Sequence, residues 1–164
     1  MGIYFAIAMG VVGLVFAYIL SCFVGKAEPG TERMKEISAA IHQGAKAFLF
    51  AEYRVLVVFV VVLFLAIGFG LGNWVTAFCF VCGSAASVLA GYCGMNVATK
   101  ANVRTARAAE QKGMVSALAI AFRGGAVMGM CVVGLGLLGC TLVYYFTGDP
   151  NVLSGFSLGA SSIA

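Results

Sequence analysis

Charge is absent from most of this chain. Residues 2–24, 55–99 and 124–148 contain no Asp, Glu, Lys or Arg. A helix over 2–24 rises about 35 Å, enough to cross a hydrocarbon core of about 30 Å. The later stretches are at least as long. Charged residues make up only 10% of the 164 residues and hydrophobic ones 62%, whereas a soluble domain carries about 25% charged residues. A soluble domain of this size has too little interior to hide so much apolar surface. Glycine is abundant, 22 residues against 2 Pro. There is no G-X-Y period to suggest collagen, and the many Phe, Val, Ile and Leu exclude disorder. The chain reads as an all-α polytopic membrane protein, a single multi-helix membrane domain over 1–164.

The polar stretches punctuate it into four transmembrane helices and the start of a fifth, at about 2–24, 34–71, 74–99, 114–146 and from 154. The first is too long for a signal-peptide core and has no basic residues before it. The segment Met1-Gly2-Ile3-Tyr4-Phe5-Ala6 lacks the Ser/Thr of a myristoylation signal. Pro29-Gly30 breaks the chain and Thr31 is a suitable N-cap. Met34, Ile37, Ile41, Ala45 and Phe48 then recur at helical spacing, predicting a packed apolar face on a charged helix that runs on into the second span. Gly68, Gly70, Gly72 and Asn73 mark a turn before Trp74, an interfacial anchor. Residues 100–113 form a second charged, Ala-rich helical segment, in which Arg107 and Glu110 are spaced to pair.

Lys26, Arg33, Lys35, Lys46 and Arg54 lie between spans one and two. Lys100, Arg104, Arg107, Lys112 and Arg123 lie between spans three and four or at the entry of the fourth. All 10 basic residues therefore fall on one side. The positive-inside rule makes that side cytoplasmic and the N-terminus outside. The net charge of +4 is a topology signal on this pattern, and no nucleic-acid partner is expected.

No motif carries chemistry by itself. Gly134-x-Gly136-x-x-Gly139 spells a dinucleotide fingerprint but has no strand before it and no acidic residue at the right distance after it. Helix packing explains it better, and Ala117, Ala121, Gly125 and Gly129, spaced by four, predict a small-residue stripe for a neighbouring helix. Cys79-x-x-Cys82 sits in an apolar helix, and the six cysteines read as small apolar filler. His42, the only histidine, is expected to be solvated or hydrogen-bonded at the surface. None of the six carboxylates (Glu28, Glu32, Glu36, Glu52, Glu110 and Asp149) lies at mid-bilayer depth, where an ion carrier needs one. Arg123 is the deepest charge, about two turns into its helix, close enough to snorkel to the interface. Arg104, Arg107 and Lys112 are placed to meet an anion such as phosphate, or to serve only as a solvated, orienting face. No catalytic, cofactor-binding or metal-binding residue is assigned.

Three stretches go further. Gly30-Thr31-Glu32-Arg33-Met34-Lys35-Glu36-Ile37-Ser38-Ala39-Ala40-Ile41-His42-Gln43-Gly44-Ala45-Lys46-Ala47-Phe48-Leu49 resembles the first cytoplasmic segment of membrane-bound, ion-pumping pyrophosphatases. Gly94-Met95-Asn96-Val97-Ala98-Thr99-Lys100-Ala101-Asn102-Val103-Arg104-Thr105-Ala106 is similar to their second. Gly155-Phe156-Ser157-Leu158-Gly159-Ala160-Ser161-Ser162-Ile163-Ala164 is similar to the opening of their fifth membrane helix. The three occur in the family's order.

The resemblance implies a homodimeric pump that hydrolyses inorganic pyrophosphate with Mg2+ at a cytoplasmic site and drives H+ or Na+ outward, sometimes with K+ as activator. Its helices form an inner ring with the substrate and ion path and an outer ring around it. The first four helices belong to the outer ring, and a prokaryotic cell membrane is the expected location. The family's Asp-rich pyrophosphate and magnesium motifs match nothing here, so this chain is expected to be an N-terminal fragment, inactive alone. Against this stand two alternatives, a small Gly-rich non-catalytic membrane subunit and a scaffold protein. A rotor-ring proteolipid, the sharpest form of the first, would need a mid-membrane carboxylate in helix four, and the sequence has none there. The topology has a direct test. A cysteine introduced as Asn151→Cys in a Cys-free background should react with impermeant reagents only from the non-cytoplasmic side, and labelling from the cytoplasm alone would reverse the orientation.

Overall fold

The computed structural model describes residues 2–163 as five α-helices: α1 (Gly2–Lys26), α2 (Glu32–Gly70), α3 (Trp74–Lys112), α4 (Met114–Thr147) and α5 (Pro150–Ile163). The first four are long and apolar enough to cross a membrane. At 39 residues each, α2 and α3 reach about 58 Å, almost twice the hydrocarbon thickness. Their charged ends are continuous with their apolar portions, so the projecting segments are extensions of the spans.

Local chemistry sets the boundaries. Thr31 accepts from the backbone N–H of Met34 at 3.4 Å, in the extended conformation of an N-cap. Asn73 does the same for α3, accepting from Thr76 N–H at 3.2 Å. A single residue, Gly113, joins α3 to α4 at φ 80° and ψ −178°, a region essentially closed to residues with a Cβ. Gly148 ends α4 in the left-handed conformation, with its N–H on the Tyr144 carbonyl at 2.9 Å. α5 begins at Pro150, earlier than the expected 154. Asp149 Oδ1 accepts from the Asn151 N–H at 2.8 Å, and Pro fits the first helical position because no donor is needed there.

α3 is the spine of the bundle and packs on α1, α2, α4 and α5, while α4 also packs on α1 and α5. The tightest crossing is α3 on α5. A methyl group at Gly83 would land on the Phe156 carbonyl oxygen, and one at Gly159 on that of Phe80. At Gly155 it would meet the Thr76 carbonyl at 2.5 Å. Two backbones are thus in direct contact, sealed by Ala77, Phe80 and Phe156, which are almost fully buried. The α1–α4 crossing repeats the device, since a Cβ on Gly10 would sit 3.3 Å from the Gly134 carbonyl and one on Gly134 3.1 Å from the Gly10 carbonyl. At the α2–α3 turn, Gly68 leaves room for the Trp74 indole, which meets the rings of Phe64 and Phe69 at centroid distances of 5.8 and 5.1 Å.

Two expected faces are rotated. On α4 the packed line is Ala117, Gly124, Val127, Cys131 and Gly134, whereas Ala121, Gly125 and Gly129 are exposed, with nothing near Gly125 or Gly129 among the described residues. Each step of four residues overshoots a turn by about 40°, so a strict every-fourth stripe walks off the contact line that starts at Ala117. On α2 the face toward α3 runs through Met34, Ser38, His42, Ala45 and Leu49, and Ile37, Ile41 and Phe48 point outward.

Gly83→Ala and Gly159→Ala should each lower the stability of the full-length protein by about 1–3 kcal/mol through overpacking. Gly44→Ala, with open space around it, should be neutral or slightly stabilising. Thermal unfolding in detergent measures both, and equal melting of Gly159→Ala and the parent would contradict the close crossing.

Candidate functional site

The charged segments converge at one end of the bundle, where the C-terminal turn of α1 meets the charged ends of α3 and α4. The last carbonyls of α1 have no intrahelical partners and carry the negative end of the helix dipole. Arg104 of α3 answers this end, donating from Nη2 to the Gly25 carbonyl in the last turn at 3.3 Å and from Nε to the carbonyl of Ala27, one residue past α1, at 3.0 Å. Its Nη1 donates to the carbonyl of Lys100, in its own helix, at 2.8 Å. Arg104 therefore ties α1 to α3 and has little left to offer a ligand. One turn on, Arg107 pairs with Glu110 at 2.8 Å, as the spacing predicts. Arg123 comes from α4 and lies over the Phe23 ring of α1 at 5.6 Å, a cation–π contact. Between them is a cavity of about 310 Å3 lined by Arg104, Arg107, Lys112 and Arg123, with Glu28 the one acid among its walls.

A second polar contact joins α2 to α3. The Thr99 hydroxyl lies 2.9 Å from the Met95 carbonyl and 3.2 Å from the Asn96 carbonyl. It also hydrogen-bonds His42 Nδ1 at 3.0 Å, as donor or acceptor according to the histidine tautomer. Deeper along the same interface, the Tyr53 hydroxyl donates to the Val88 carbonyl at 3.2 Å. Both are packing contacts, and His42, expected at the surface, is half-buried in a hydrogen bond between two helices.

The remaining candidates are dispersed. Glu32 pairs with Lys35 and Glu36 with Arg33, both at 2.7 Å and exposed, contacts worth little to stability. Asp149 caps α5 away from the charged end. Among the described residues no three of His, Cys, Asp and Glu lie close enough to hold a metal ion. Magnesium needs converging carboxylate oxygens, so the residues present do not fit that ion. Cys79 is buried and Cys82 exposed, and both are free thiols. Of the fingerprint glycines, Gly134 seats Leu14 and Gly139 seats Phe156, while nothing is near Gly136. Sequence reasoning missed Arg104 as a helix clamp. Its signal was an arginine one helical turn past Lys100, in register with a helix end that has no C-terminal glycine motif.

A family model described as inorganic H+ pyrophosphatase matches residues 11–164. A putative K+-stimulated pyrophosphate-energized sodium pump of Clostridium tetani is 52% identical over 99% of this chain and 24% of its own length. A K+-insensitive pyrophosphate-energized proton pump of Methanosarcina mazei is 43% identical over 94% of this chain and 23% of its own. One of Chloroflexus aurantiacus is 33% identical over 100% of this chain and 24% of its own. The chain thus spans about 24% of the length of such relatives.

Arg104→Gln should destabilise the full-length protein by about 1–2 kcal/mol, as its part-exposed, charge-assisted bonds to α1 are lost. Lys35→Gln, removing an exposed pair, should change little. A thermal melt of both variants checks this, and equal loss in the two would dismiss the clamp.

Proposed function

This chain belongs to the inorganic H+ pyrophosphatase family, and on that premise we propose that it supplies outer-ring membrane helices to a pump that couples pyrophosphate hydrolysis to outward H+ or Na+ transport. The supporting observation is a contrast within the described residues. They hold glycine-lined helix crossings and a clamped basic end, but no cluster of carboxylates for metal. Phosphoryl transfer needs fixed cations around the transferring group. In this reading pyrophosphate and Mg2+ are bound by parts of the full-length pump outside residues 1–164. The helices of this chain support that site by packing, within a homodimer whose N-termini face outward. Identity is higher to the Clostridium protein named a putative K+-stimulated sodium pump than to the Methanosarcina proton pump, which favours Na+ as the ion and K+ as an activator.

Phosphate release tests the proposal. The full-length protein should turn over pyrophosphate with Mg2+, and faster when Na+ and K+ are present. Residues 1–164 alone should release none above background. Magnesium-dependent turnover by residues 1–164 would place the chemistry here and refute the supporting role, and turnover indifferent to Na+ would remove the sodium reading.

A further inference from the structure

We propose that the basic cavity between α1, α3 and α4 binds the headgroup of an anionic phospholipid. Depth is the first argument. Beyond Arg123 the uncharged part of α4, residues 124–147, is about 36 Å long, and the uncharged part of α1, residues 2–25, is again about 36 Å. Two helices that touch through Arg123 and Phe23 therefore both reach the end of the hydrocarbon region at this cavity, where phosphates of the lipid lie.

Charge is the second argument. Four basic side chains line the cavity against Glu28 alone, with Glu110 paired to Arg107 beside it. Arg104 is spent on the α1 carbonyls. Arg123 and Lys112 have no hydrogen-bond or ion-pair partner among the described residues, and they remain free to meet a phosphodiester. Basic pockets between membrane helices are one known form of lipid headgroup recognition.

Apolar surface beside the cavity is the third argument, and it suits a lipid better than a free phosphate. Phe23, Ile19 and Phe16 are spaced by four and three on one face of α1 and are 54%, 43% and 47% exposed. That stripe leads from the cavity toward the membrane centre. A soluble anion has no use for it, and an acyl chain follows it.

The test titrates delipidated full-length protein with phosphatidylglycerol, phosphatidylcholine or inorganic phosphate and reads the bound fraction by native mass spectrometry. Phosphatidylglycerol should bind more tightly than phosphatidylcholine. Arg123→Gln should weaken it about fivefold, and Arg123→Gln with Lys112→Gln about thirtyfold, at about 1 kcal/mol per charge. Glu28→Gln should tighten it about fivefold by the same reasoning, a gain that misfolding would not produce. Unchanged phosphatidylglycerol binding in the Arg123 and Glu28 variants overturns the site. Equal binding of the two lipids overturns the charge argument, and displacement of phosphatidylglycerol by equimolar inorganic phosphate overturns the lipid as its occupant.

Discussion

Helices in a bilayer cannot be held together by exclusion from water, because lipid chains are as apolar as the side chains they would replace. What remains is contact, and contact is strongest where backbones approach. Gly83 against Phe156, and Gly155 and Gly159 against Thr76 and Phe80, bring α3 and α5 together backbone to backbone. Gly10 and Gly134 do the same for α1 and α4. These five glycines answer that need, whereas others, such as Gly44, Gly125 and Gly129, stand in open space. α3 carries most of the packing, touching every other helix. α2, by contrast, buries only Leu49, Ile67 and Gly68 and meets α3 through one apolar cluster of Leu63, Phe64 and Ile67 with Ala77 and Phe80, and through contacts at Trp74, Tyr53 and His42.

At the charged end the logic changes, because water and headgroups compete for every polar group. There the structure uses bonds that satisfy a definite need. The terminal carbonyls of α1 require donors, and Arg104 provides them. Since α2 and α3 continue unbroken out of the span, the charged segments are as rigidly aligned as the helices beneath them. In a pyrophosphatase of the proposed kind, such extensions would brace a hydrolytic site held by other helices.

Much of the architecture was legible because it depends on gross features. Uncharged runs longer than a bilayer identify the spans. Thr31 after Pro29-Gly30 marks a helix start, and Arg107 with Glu110 marks an ion pair, as found. Which face of a helix packs was less legible. A membrane helix is apolar all round, so periodicity carries little information, and the spacing from Ala117 to Gly129 misled by accumulating about 40° per step. On α2 the apolar residues Ile37, Ile41 and Phe48 point outward, and the face that packs on α3 carries the half-buried His42–Thr99 bond instead. The start of α5 was readable in principle, since Asp149-Pro150 is an N-cap followed by a first-turn proline. The partner of Arg104 was not, because it lies 77 positions away in sequence.

The central claim is that direct backbone contact at glycines sets the separation of these helices. The most direct measurement is the interaxial distance of α3 and α5 at Gly83 and Gly159 in an experimental structure of the full-length protein in a lipid bilayer. The account predicts a value well below the about 8–10 Å of ordinary helix packing, with no side chain or lipid between the two backbones. A separation within the ordinary range, with side chains or lipid filling the gap, would contradict it.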